Sequence, residues 1–273
     1  TEEDQVLGAA ANWVVMENGL LNLCDVGRHT ENGVACSAPV LVKHTNQLFV
    51  TRELPYAYDP RAECPRWEKY IAEVQPEPEG QKVLQMLSGM APVPGYMLNV
   101  FFVLFGVPGT GKSVFLYVLK HLVGTDNCSA VPLPQLREKF TNYVLTETLL
   151  NVVGDTDEHP GESLKSVEGI LKSMTDGEAI GTRKLFQNQE TRVVTARNIF
   201  ATNTLPHFTD RTNGIWDRLR IIPFGQRFRY TEQENPNLRD ELLEELPGIL
   251  NWALRGLAEL RKLPRFPEHP GGK

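Results

Sequence analysis

The chain has 273 residues, of which 41% are hydrophobic and 23% charged, and its formal net charge is −6. This composition is typical of an ordinary soluble globular protein, and the acidic balance argues against one that covers nucleic acid with its whole surface. The longest apolar stretch, residues 97–107, is interrupted by Asn99 and Gly106 and falls short of the roughly 20 residues that a membrane helix needs, so no membrane partner is expected.

The first residues and the cysteines bear on the setting of the chain. The segment Thr1-Glu2-Glu3-Asp4 lacks an initiator Met and the pattern of a secretory signal, which predicts a piece of a longer polypeptide. The four cysteines contain no C-x-x-C pair, and together with His29 and His44 they fit no common zinc spacing. We therefore expect unpaired thiols in a reducing, cytoplasmic interior.

Residues 1–95 are predicted to form a small mixed α/β domain. After Trp13, short β-rich runs alternate with glycine and proline. The runs are Trp13–Met16, Leu20–Leu23, Val40–Val42 and Leu48–Val50. After Pro65, and again after the Pro76-Glu77-Pro78 break, apolar residues recur at helical spacing, which predicts two helices.

Residues 96–230 alternate apolar strand candidates with helices, a pattern typical of an α/β fold with a parallel sheet covered on both faces. A helix over Val114–Val123 is predicted to stop at Gly124. Residues 231–273 are predicted to add two helices, one ending near Pro247 and the next with an apolar face that forms core or a lid over a nucleotide. The predicted strands of the middle section are Phe101–Phe105, Leu149–Val153 and Ile199–Thr202.

The segment Gly106-Val107-Pro108-Gly109-Thr110-Gly111-Lys112-Ser113 matches the P-loop pattern G-x-x-x-x-G-K-[ST] between an apolar strand and a helix. In that pattern, backbone amides curl around the phosphates of a nucleoside triphosphate, and the following helix directs its positive end at them. Lys112 would reach the β- and γ-phosphate oxygens, and Ser113 would bind Mg²⁺. The loop therefore predicts binding and hydrolysis of ATP, and a fortuitous glycine-rich turn is the weaker alternative.

A carboxylate is expected at the end of a neighbouring strand, where it holds the magnesium shell and polarises the attacking water. Asp155 follows the strand over Leu149–Val153, and Asp157 and Glu158 come soon after it. We assign Asp155 to the metal and either Asp157 or Glu158 to the water. For each of the latter two, a solvated loop carboxylate is the alternative.

Asn203 follows the strand over Ile199–Thr202, and a polar residue at that place would lie beside the γ-phosphate as a sensor. Taken alone, Asn-Thr-x-Pro is also a plain turn signal. The sensor interpretation therefore depends on the motifs around it.

With these motifs in order, the chain resembles the superfamily 3 helicases, and most closely the helicase part of phage, plasmid and poxvirus-type primase–helicases. The likeness covers nearly the whole chain. Its segments are Asn18–Leu23, Leu54–Pro60 and Cys64–Trp67 before the ATPase, Leu171–Glu178 (similar to motif B′), Asn198–Pro206 (similar to motif C), Trp216–Phe224 (similar to the arginine-finger segment) and Leu246–Gly256 (similar to the closing helix). Two departures are Asp155, where Glu is more usual, and the Thr-Asp-Gly-Glu run at 175–178, where Gly-Gly-Asp is commoner. The first leaves the division of roles among the three carboxylates open.

The resemblance implies an AAA+-like core that assembles into a ring, expected to be a hexamer, around single-stranded DNA, with ATP between subunits. A cationic side chain given in trans would then stabilise the transferring phosphoryl group. Arg218 is the first candidate for this arginine finger, followed by Arg220 and Arg211. The alternative for any one of them is a surface ion pair that contributes little. A primase or polymerase domain in the same full-length polypeptide is a further expected partner.

Between motifs B′ and C, the same family carries a hairpin that projects into the central channel, and Arg183, Lys184 and Phe186 fall at that place. Cations can follow the phosphates of an unpaired strand while an aromatic ring stacks on a base or sugar. Residues 181–230 contain nine basic and three acidic residues, which predicts a basic surface there. The alternative is a β-ribbon in which Phe186 belongs to the core and the charges are merely solvated.

The sequence therefore favours an ATP-dependent DNA helicase of replication, of viral, phage or mobile-element origin, that acts on single-stranded and fork DNA. Its polarity, 3′ to 5′, comes from the resemblance alone. The first alternative is an AAA+ ATPase that remodels or packages DNA or protein without unwinding. A small-molecule kinase is disfavoured by the arginine-rich motifs after the sensor strand, and a binding module with a degenerate ATP site is disfavoured by the intact loop.

Overall fold

The computed structural model of the chain describes residues 13–23, 26, 39–45, 50–93, 98–154, 164–184, 186–210, 213–232 and 234–272. They form two compact units. The described residues of the first unit fall within 1–95, 117–127 and 235–264, and those of the second within 96–116, 128–234 and 265–273. In the described part of the chain, no helix combines the length and the apolar character that a membrane crossing requires.

The secondary structure follows the predicted order of a mixed front section, an alternating middle section and helices near the end. The strands are β1 (Trp13–Met16), β2 (Gly19–Asn22), β3 (Val40–Val42), β4 (Glu53–Leu54), β5 (Phe101–Phe105), β6 (Cys128–Ser129), β7 (Leu150–Val153), β8 (Ala179–Arg183), β9 (Gln189–Val193), β10 (Arg197–Thr202) and β11 (Leu219–Pro223). The helices are α1 (Pro65–Val74), α2 (Pro78–Met90), α3 (Lys112–Leu122), α4 (Lys139–Val144), α5 (Lys165–Thr175), α6 (Leu238–Leu243) and α7 (Leu246–Leu260).

In the first unit, β1 to β4 form a mixed sheet in the order β3-β2-β1-β4. β1 and β3 each pair antiparallel with β2, and β4 runs parallel to β1. The predicted strands at Trp13–Met16 and Val40–Val42 are confirmed, and the strand predicted at Leu20–Leu23 lies at Gly19–Asn22. β4 was not predicted because two residues are too few to show alternation, and most of the predicted run at 48–50 lies outside the described residues.

Helices α2 and α7 pack closely in the first unit because each has a glycine, without a side chain, at the interface between them. A β-carbon at Gly89 would lie 2.3 Å from the carbonyl oxygen of Ala253, and one at Gly256 would lie 2.3 Å from that of Gln85. The predicted apolar face of α7 is buried. Of the two roles expected for that face, core packing is therefore the one that the structure shows.

Several predicted boundaries move along the chain. α3 begins at Lys112 rather than Val114, and β10 begins at Arg197 rather than Ile199. Apolar periodicity marks the middle of an element better than its ends. Pro247 does not close a helix but lies in the first turn of α7, where its missing N–H removes no helical hydrogen bond.

The second unit is built around a five-stranded sheet in the order β11-β5-β10-β7-β6, with every neighbouring pair parallel. The predicted parallel central sheet is therefore confirmed. β7 is buried throughout and β5 at all but its last residue, as expected for strands covered on both faces. Thr202 and Pro223 both pair with Phe105, so the carboxyl ends of β10, β5 and β11 lie together at one edge of the sheet.

A buried amide pair links β7 to β10. Asn151 and Asn198 are partners in the register of the two strands, and Nδ2 of Asn151 donates to Oδ1 of Asn198 at 2.9 Å. The same Asn151 amide donates to the carbonyl oxygen of Val131 at 2.9 Å and accepts from its N–H at 2.7 Å. Asn151 is 0% and Asn198 3% exposed, so these hydrogen bonds replace those lost to water.

β8 and β9 form a separate antiparallel ribbon in the second unit, with Ala179 opposite Val193 and Arg183 opposite Gln189. After α5 ends, Gly177 has a φ angle of 70°, and its left-handed conformation turns the chain toward β8. The connection between the two strands spans residues 184–188. This is the place at which the superfamily 3 resemblance implies a hairpin.

Candidate nucleotide site

The P-loop joins β5 to α3 at the carboxyl edge of the parallel sheet. Gly109 and Gly111 have φ angles of 85° and 95°, a region that glycine enters without steric cost. A β-carbon at Gly106 would lie 2.2 Å from the carbonyl oxygen of Phe224, so the chain after β11 leaves no room for a larger residue. Backbone geometry therefore requires glycine at all three positions.

Lys112 is the buried cation of the loop, with 4% of its surface exposed. Its Nζ donates to the carbonyl oxygens of Gly106 and Val107, the latter at 3.1 Å. It also donates to Oδ1 of Asn203 at 3.0 Å. These bonds fix the ammonium within the loop, where the oxygens of an anionic phosphate could replace some of these acceptors.

Asn203 reaches the loop because β10 is the immediate neighbour of β5. It follows Thr202, whose register partner Phe105 is the last residue before the loop. The structure thus brings the candidate sensor and the P-loop lysine together. The turn alternative also has a basis, since Oγ1 of Thr202 donates to the carbonyl oxygen of Thr204 at 2.6 Å and accepts from its N–H at 3.1 Å.

Some of the remaining candidate ligands of the phosphates and the metal are among the described residues, and others are not. Oγ1 of Thr110 donates to the carbonyl oxygen of Val107 at 2.9 Å, and Ser113 is exposed in the first turn of α3. A buried ammonium, a glycine-rich curve of amides and an exposed hydroxyl fit the phosphates of a nucleotide and its magnesium ion. The three carboxylates assigned to the metal and the water lie outside the described residues: Asp155, Asp157 and Glu158.

A segment that the motifs did not include also contacts the loop. The N–H groups of Phe228 and Arg229 donate to the carbonyl oxygen of Gly109 at 2.8 and 3.3 Å. A β-carbon at Gly109 would lie 2.4 Å from Cβ of Arg229, so this segment rests directly on the P-loop. In the sequence it is marked only by alternating arginine and aromatic residues over 227–230.

Arg218 lies at the opposite edge of the sheet from the P-loop. It precedes β11, and its carbonyl oxygen accepts from the N–H of Phe101, the first residue of β5, at 3.0 Å. The length of β5 therefore separates Arg218 from the loop by about 16 Å, at ~3.3 Å per strand residue. The first arginine-finger candidate cannot reach the nucleotide of its own protomer.

The guanidinium of Arg218 holds Asp176, the residue that follows α5. Nε and Nη2 of Arg218 donate to the two carboxylate oxygens at 3.0 and 2.6 Å, and Nη1 donates to the carbonyl oxygen of Gly214 at 2.6 Å. The hydrogen bonds from Arg218 to the carboxylate, with a smaller contribution from Nδ2 of Asn99 at 2.8 Å, lower the pKa of Asp176 although partial burial opposes them. In the single chain, Arg218 thus forms a partly buried ion pair.

The other finger candidates differ in what the structure shows. Arg220 is 6% exposed, and its Nε donates to the carbonyl oxygen of Phe266 at 3.1 Å. Its Nη1 donates to the carbonyl oxygens of Asp217 and Leu219, each at 2.9 Å, and burial lowers its pKa. These bonds give Arg220 a structural role between β11 and the last residues of the chain. Arg211 lies outside the described residues.

The candidate DNA contacts lie at the end of the β8–β9 ribbon. Phe186 is 95% exposed, with a φ angle of 63°, so the alternative that places it in the core is wrong. Nε of Arg183 donates to the carbonyl oxygen of Gln187 at 3.0 Å, and Nζ of Lys184 lies 5.4 Å from the ring centre of Tyr143. Arg183, Lys184 and Phe186 are all exposed to solvent at this end of the ribbon.

Comparison with known proteins finds sequence similarity to viral proteins. Residues 104–218, from the end of β5 to Arg218, match a family described as "Family of unknown function (DUF5906)". The chain is 26% identical over 172 residues to "Putative helicase L207/L206" of Acanthamoeba polyphaga mimivirus, which covers 62% of this chain and 17% of that protein. It is 21% identical over 288 residues to "Putative helicase 121R" of Invertebrate iridescent virus 3, which covers 87% of this chain and 30% of that protein. The chain thus spans less than a third of the length of either relative.

Solved structures of the C-terminal region of NrS-1 share the fold. One superposes with a TM-score of 0.56 at 14% identity and covers 74% of this chain and 50% of that chain. Another has a TM-score of 0.54 at 16% identity and covers 73% of this chain and 46% of that chain. The chain is therefore similar in sequence to viral proteins named as helicases, and in fold to the C-terminal region of NrS-1.

Proposed function

We propose that this chain is the motor part of a viral DNA helicase, which hydrolyses ATP at the P-loop and moves along single-stranded DNA. The observation that carries the proposal is the buried P-loop lysine, whose Nζ lies 3.0 Å from Oδ1 of Asn203 on the adjacent central strand. A P-loop alone is shared by many classes of NTPase. Its coupling to a polar residue in the segment similar to motif C is what the superfamily 3 resemblance predicts.

Bound ATP supplies the phosphoanhydride bond whose γ-phosphoryl group is passed to water. The amides of the loop and the ammonium of Lys112 would hold the phosphates and offset their charge. Ser113 and Asp155 would hold Mg²⁺, and Asp157 or Glu158 would orient the water. Asn203, which shares a hydrogen bond with Lys112, would respond to the presence of the γ-phosphate.

The position of Arg218 supports assembly into a ring of AAA+-like protomers. About 16 Å of strand separates it from the loop of its own protomer, so it can serve as a finger only for a neighbour's nucleotide. In the single chain its guanidinium lies 2.6 Å from the carboxylate of Asp176. The neighbour's γ-phosphate would therefore compete with Asp176 for Arg218. A hexamer is the assembly that the superfamily 3 resemblance favours.

The tip of the β8–β9 ribbon is the proposed contact with DNA. The exposed ring of Phe186 offers a face on which a base of any identity can stack, and Arg183 and Lys184 can follow the phosphates. Binding is therefore expected to depend on salt and to be largely independent of base sequence. The proposed polarity, 3′ to 5′, rests on the resemblance.

The proposal is tested with the assembled oligomer by measuring ATP hydrolysis with and without single-stranded DNA, together with strand displacement on a forked duplex. The expected result is hydrolysis that DNA stimulates, accompanied by displacement. Stimulation without displacement would instead support the ATPase that remodels or packages DNA. A rate that DNA leaves unchanged would overturn the helicase proposal.

A further inference from the structure

The segment over Arg227–Tyr230 continues from its contact with the P-loop to an exposed aromatic ring. Its backbone is anchored by the two hydrogen bonds from Phe228 and Arg229 to the carbonyl oxygen of Gly109, at 2.8 and 3.3 Å. Oγ1 of Thr231 donates back to the carbonyl oxygen of Phe228 at 2.6 Å. These bonds hold the segment against the loop.

Tyr230, which follows these anchors, is 76% exposed and has a φ angle of 65°. A bulky residue rarely adopts this left-handed conformation, and residues held in it cluster at ligand sites. The N–H of Tyr230 donates to Oε2 of Glu234 at 2.8 Å, which helps to hold the strained conformation. The exposure shows that burial of the ring does not account for it.

Two guanidinium groups lie near the ring of Tyr230. The central carbon of the Arg229 guanidinium is 5.0 Å from the ring centre, and that of Arg227 is 5.9 Å from it, both within the range of cation–π attraction. The cluster therefore offers an aromatic face for a planar ring system and cationic planes for stacking or for an anion. A nucleotide is a ligand that carries both chemistries.

We propose that Tyr230 is the base-stacking residue of the nucleotide site and that Arg229 supports it as a positioning residue. The inference rests on the proposed function, because it assigns the base end of the same triphosphate whose phosphates the P-loop would hold. The backbone hydrogen bonds to Gly109 place Tyr230 one residue beyond the contact between Arg229 and the loop. The ligand class is a nucleoside triphosphate with a planar base, in contrast to a bare polyphosphate.

The test is calorimetric binding to the full chain, with Mg²⁺, of two ligands: ATP and inorganic tripolyphosphate, which lacks a base. Tyr230→Ala should weaken ATP binding by about tenfold to hundredfold, since stacking on one aromatic ring is of that order, and leave tripolyphosphate binding unchanged. Tyr230→Phe should bind ATP nearly as well as the wild type because it keeps the ring. Val144→Ala, which shortens a 39%-exposed apolar side chain on α4 in the same unit, is the control and should bind both ligands normally.

Unchanged ATP binding by Tyr230→Ala would overturn the inference and leave the proposed function intact. Equal weakening of ATP and tripolyphosphate would also overturn it, because the segment would then act on the shape of the loop. A wild-type chain that binds neither ligand would instead remove the proposed function. If Tyr230→Ala loses only its affinity for single-stranded DNA, the ring belongs to a nucleic-acid surface and the inference is wrong.

Discussion

The P-loop and the tip of the β8–β9 ribbon belong to the same unit, yet they present their key side chains in opposite ways. Lys112 is 4% exposed and Phe186 is 95% exposed. The loop fixes its cation with backbone carbonyls and Asn203, as suits a ligand of one defined shape. At the tip, the ring of Phe186 is surrounded almost entirely by solvent, as suits the binding of a polymer whose bases vary. Under the proposed function, the first is the site of ATP hydrolysis and the second is the contact with DNA.

The largest effect is expected for Lys112→Ala, which tests the buried side of this comparison. Removal of the loop ammonium should abolish ATP turnover, because Lys112 is the one cationic side chain of the motif and the amides of the loop carry only partial charges. Lys82→Ala, an exposed lysine on α2, is the matched control and should hydrolyse ATP at the wild-type rate. Activity retained by Lys112→Ala in a steady-state assay would exclude the loop from the mechanism.

The next largest effect is expected for Arg218→Ala. If Arg218 is the arginine finger, hydrolysis should fall by roughly 10³- to 10⁵-fold while ATP still binds. Because Arg218 also pairs with Asp176 at 2.6 Å, loss of rate alone does not separate a finger from a structural residue. Mixed oligomers with Lys112→Ala subunits, which keep Arg218, should recover part of the activity.

Absence of recovery in the mixed oligomers would favour a local role for Arg218. The matched control is Arg66→Ala, which breaks an exposed pair with Glu244 at 2.7 Å. Exposed pairs contribute little, so this variant should behave as the wild type in the same assay.

At the exposed end of the comparison, Phe186→Ala should weaken binding to single-stranded DNA by about 1–3 kcal/mol and leave ATP hydrolysis without DNA unchanged. Fluorescence anisotropy with oligonucleotides of different sequence measures both the loss and its independence of sequence. Leu263→Ala, which shortens a 40%-exposed apolar side chain in the other unit, is the control. Equal DNA affinity for Phe186→Ala and the wild type would contradict a tracking role for the tip.

The smallest expected effect concerns the Asp176–Arg218 pair, which lies at the sheet edge opposite the P-loop. Arg218 lowers the pKa of Asp176, so the pair stabilises the fold above the ordinary Asp pKa of about 3.9 and loses this contribution as pH falls through the lowered value. Asp176→Asn should reduce the free energy of unfolding by about 1–2 kcal/mol at neutral pH.

Urea denaturation across pH checks this prediction, because the difference between Asp176→Asn and the wild type should shrink as the pH falls below the ordinary Asp pKa of about 3.9. Glu259→Gln, in an exposed pair with Lys262, should show little difference at any pH. A difference for Asp176→Asn that does not vary with pH would contradict the ion-pair assignment.

The sequence predicted the site best where the local pattern and the fold agree. The strand over Phe101–Phe105 was predicted with its observed bounds because an uninterrupted apolar run suits a strand buried on both faces. The loop was predicted because its glycines and lysine match the P-loop pattern. The structure shows that backbone geometry requires those glycines. The start of β10 was not predicted, since Arg197 and Asn198 are polar and their burial depends on partners far along the chain.

Contacts between distant residues account for most of what the sequence did not predict. Nothing local indicates that Arg218 pairs with Asp176, 42 residues earlier. The contact of Phe228 and Arg229 with Gly109 depends likewise on β11 lying beside β5. By contrast, the hairpin was placed from the resemblance, and the exposure of Phe186 could not have been derived from composition.

The amide pair between Asn151 and Asn198 also fixes the register of β10, and with it the position of Asn203, the candidate sensor. If β10 slid by one residue against β7, Asn198 would lose its amide partner while Asn151 kept its bonds to Val131. The unpaired buried amide of Asn198 would cost about 1–3 kcal/mol. The same displacement would carry Asn203 out of reach of Lys112. A shifted register of β10 is therefore destabilised at Asn198, five residues before Asn203. This selection of the register does not require a bound nucleotide.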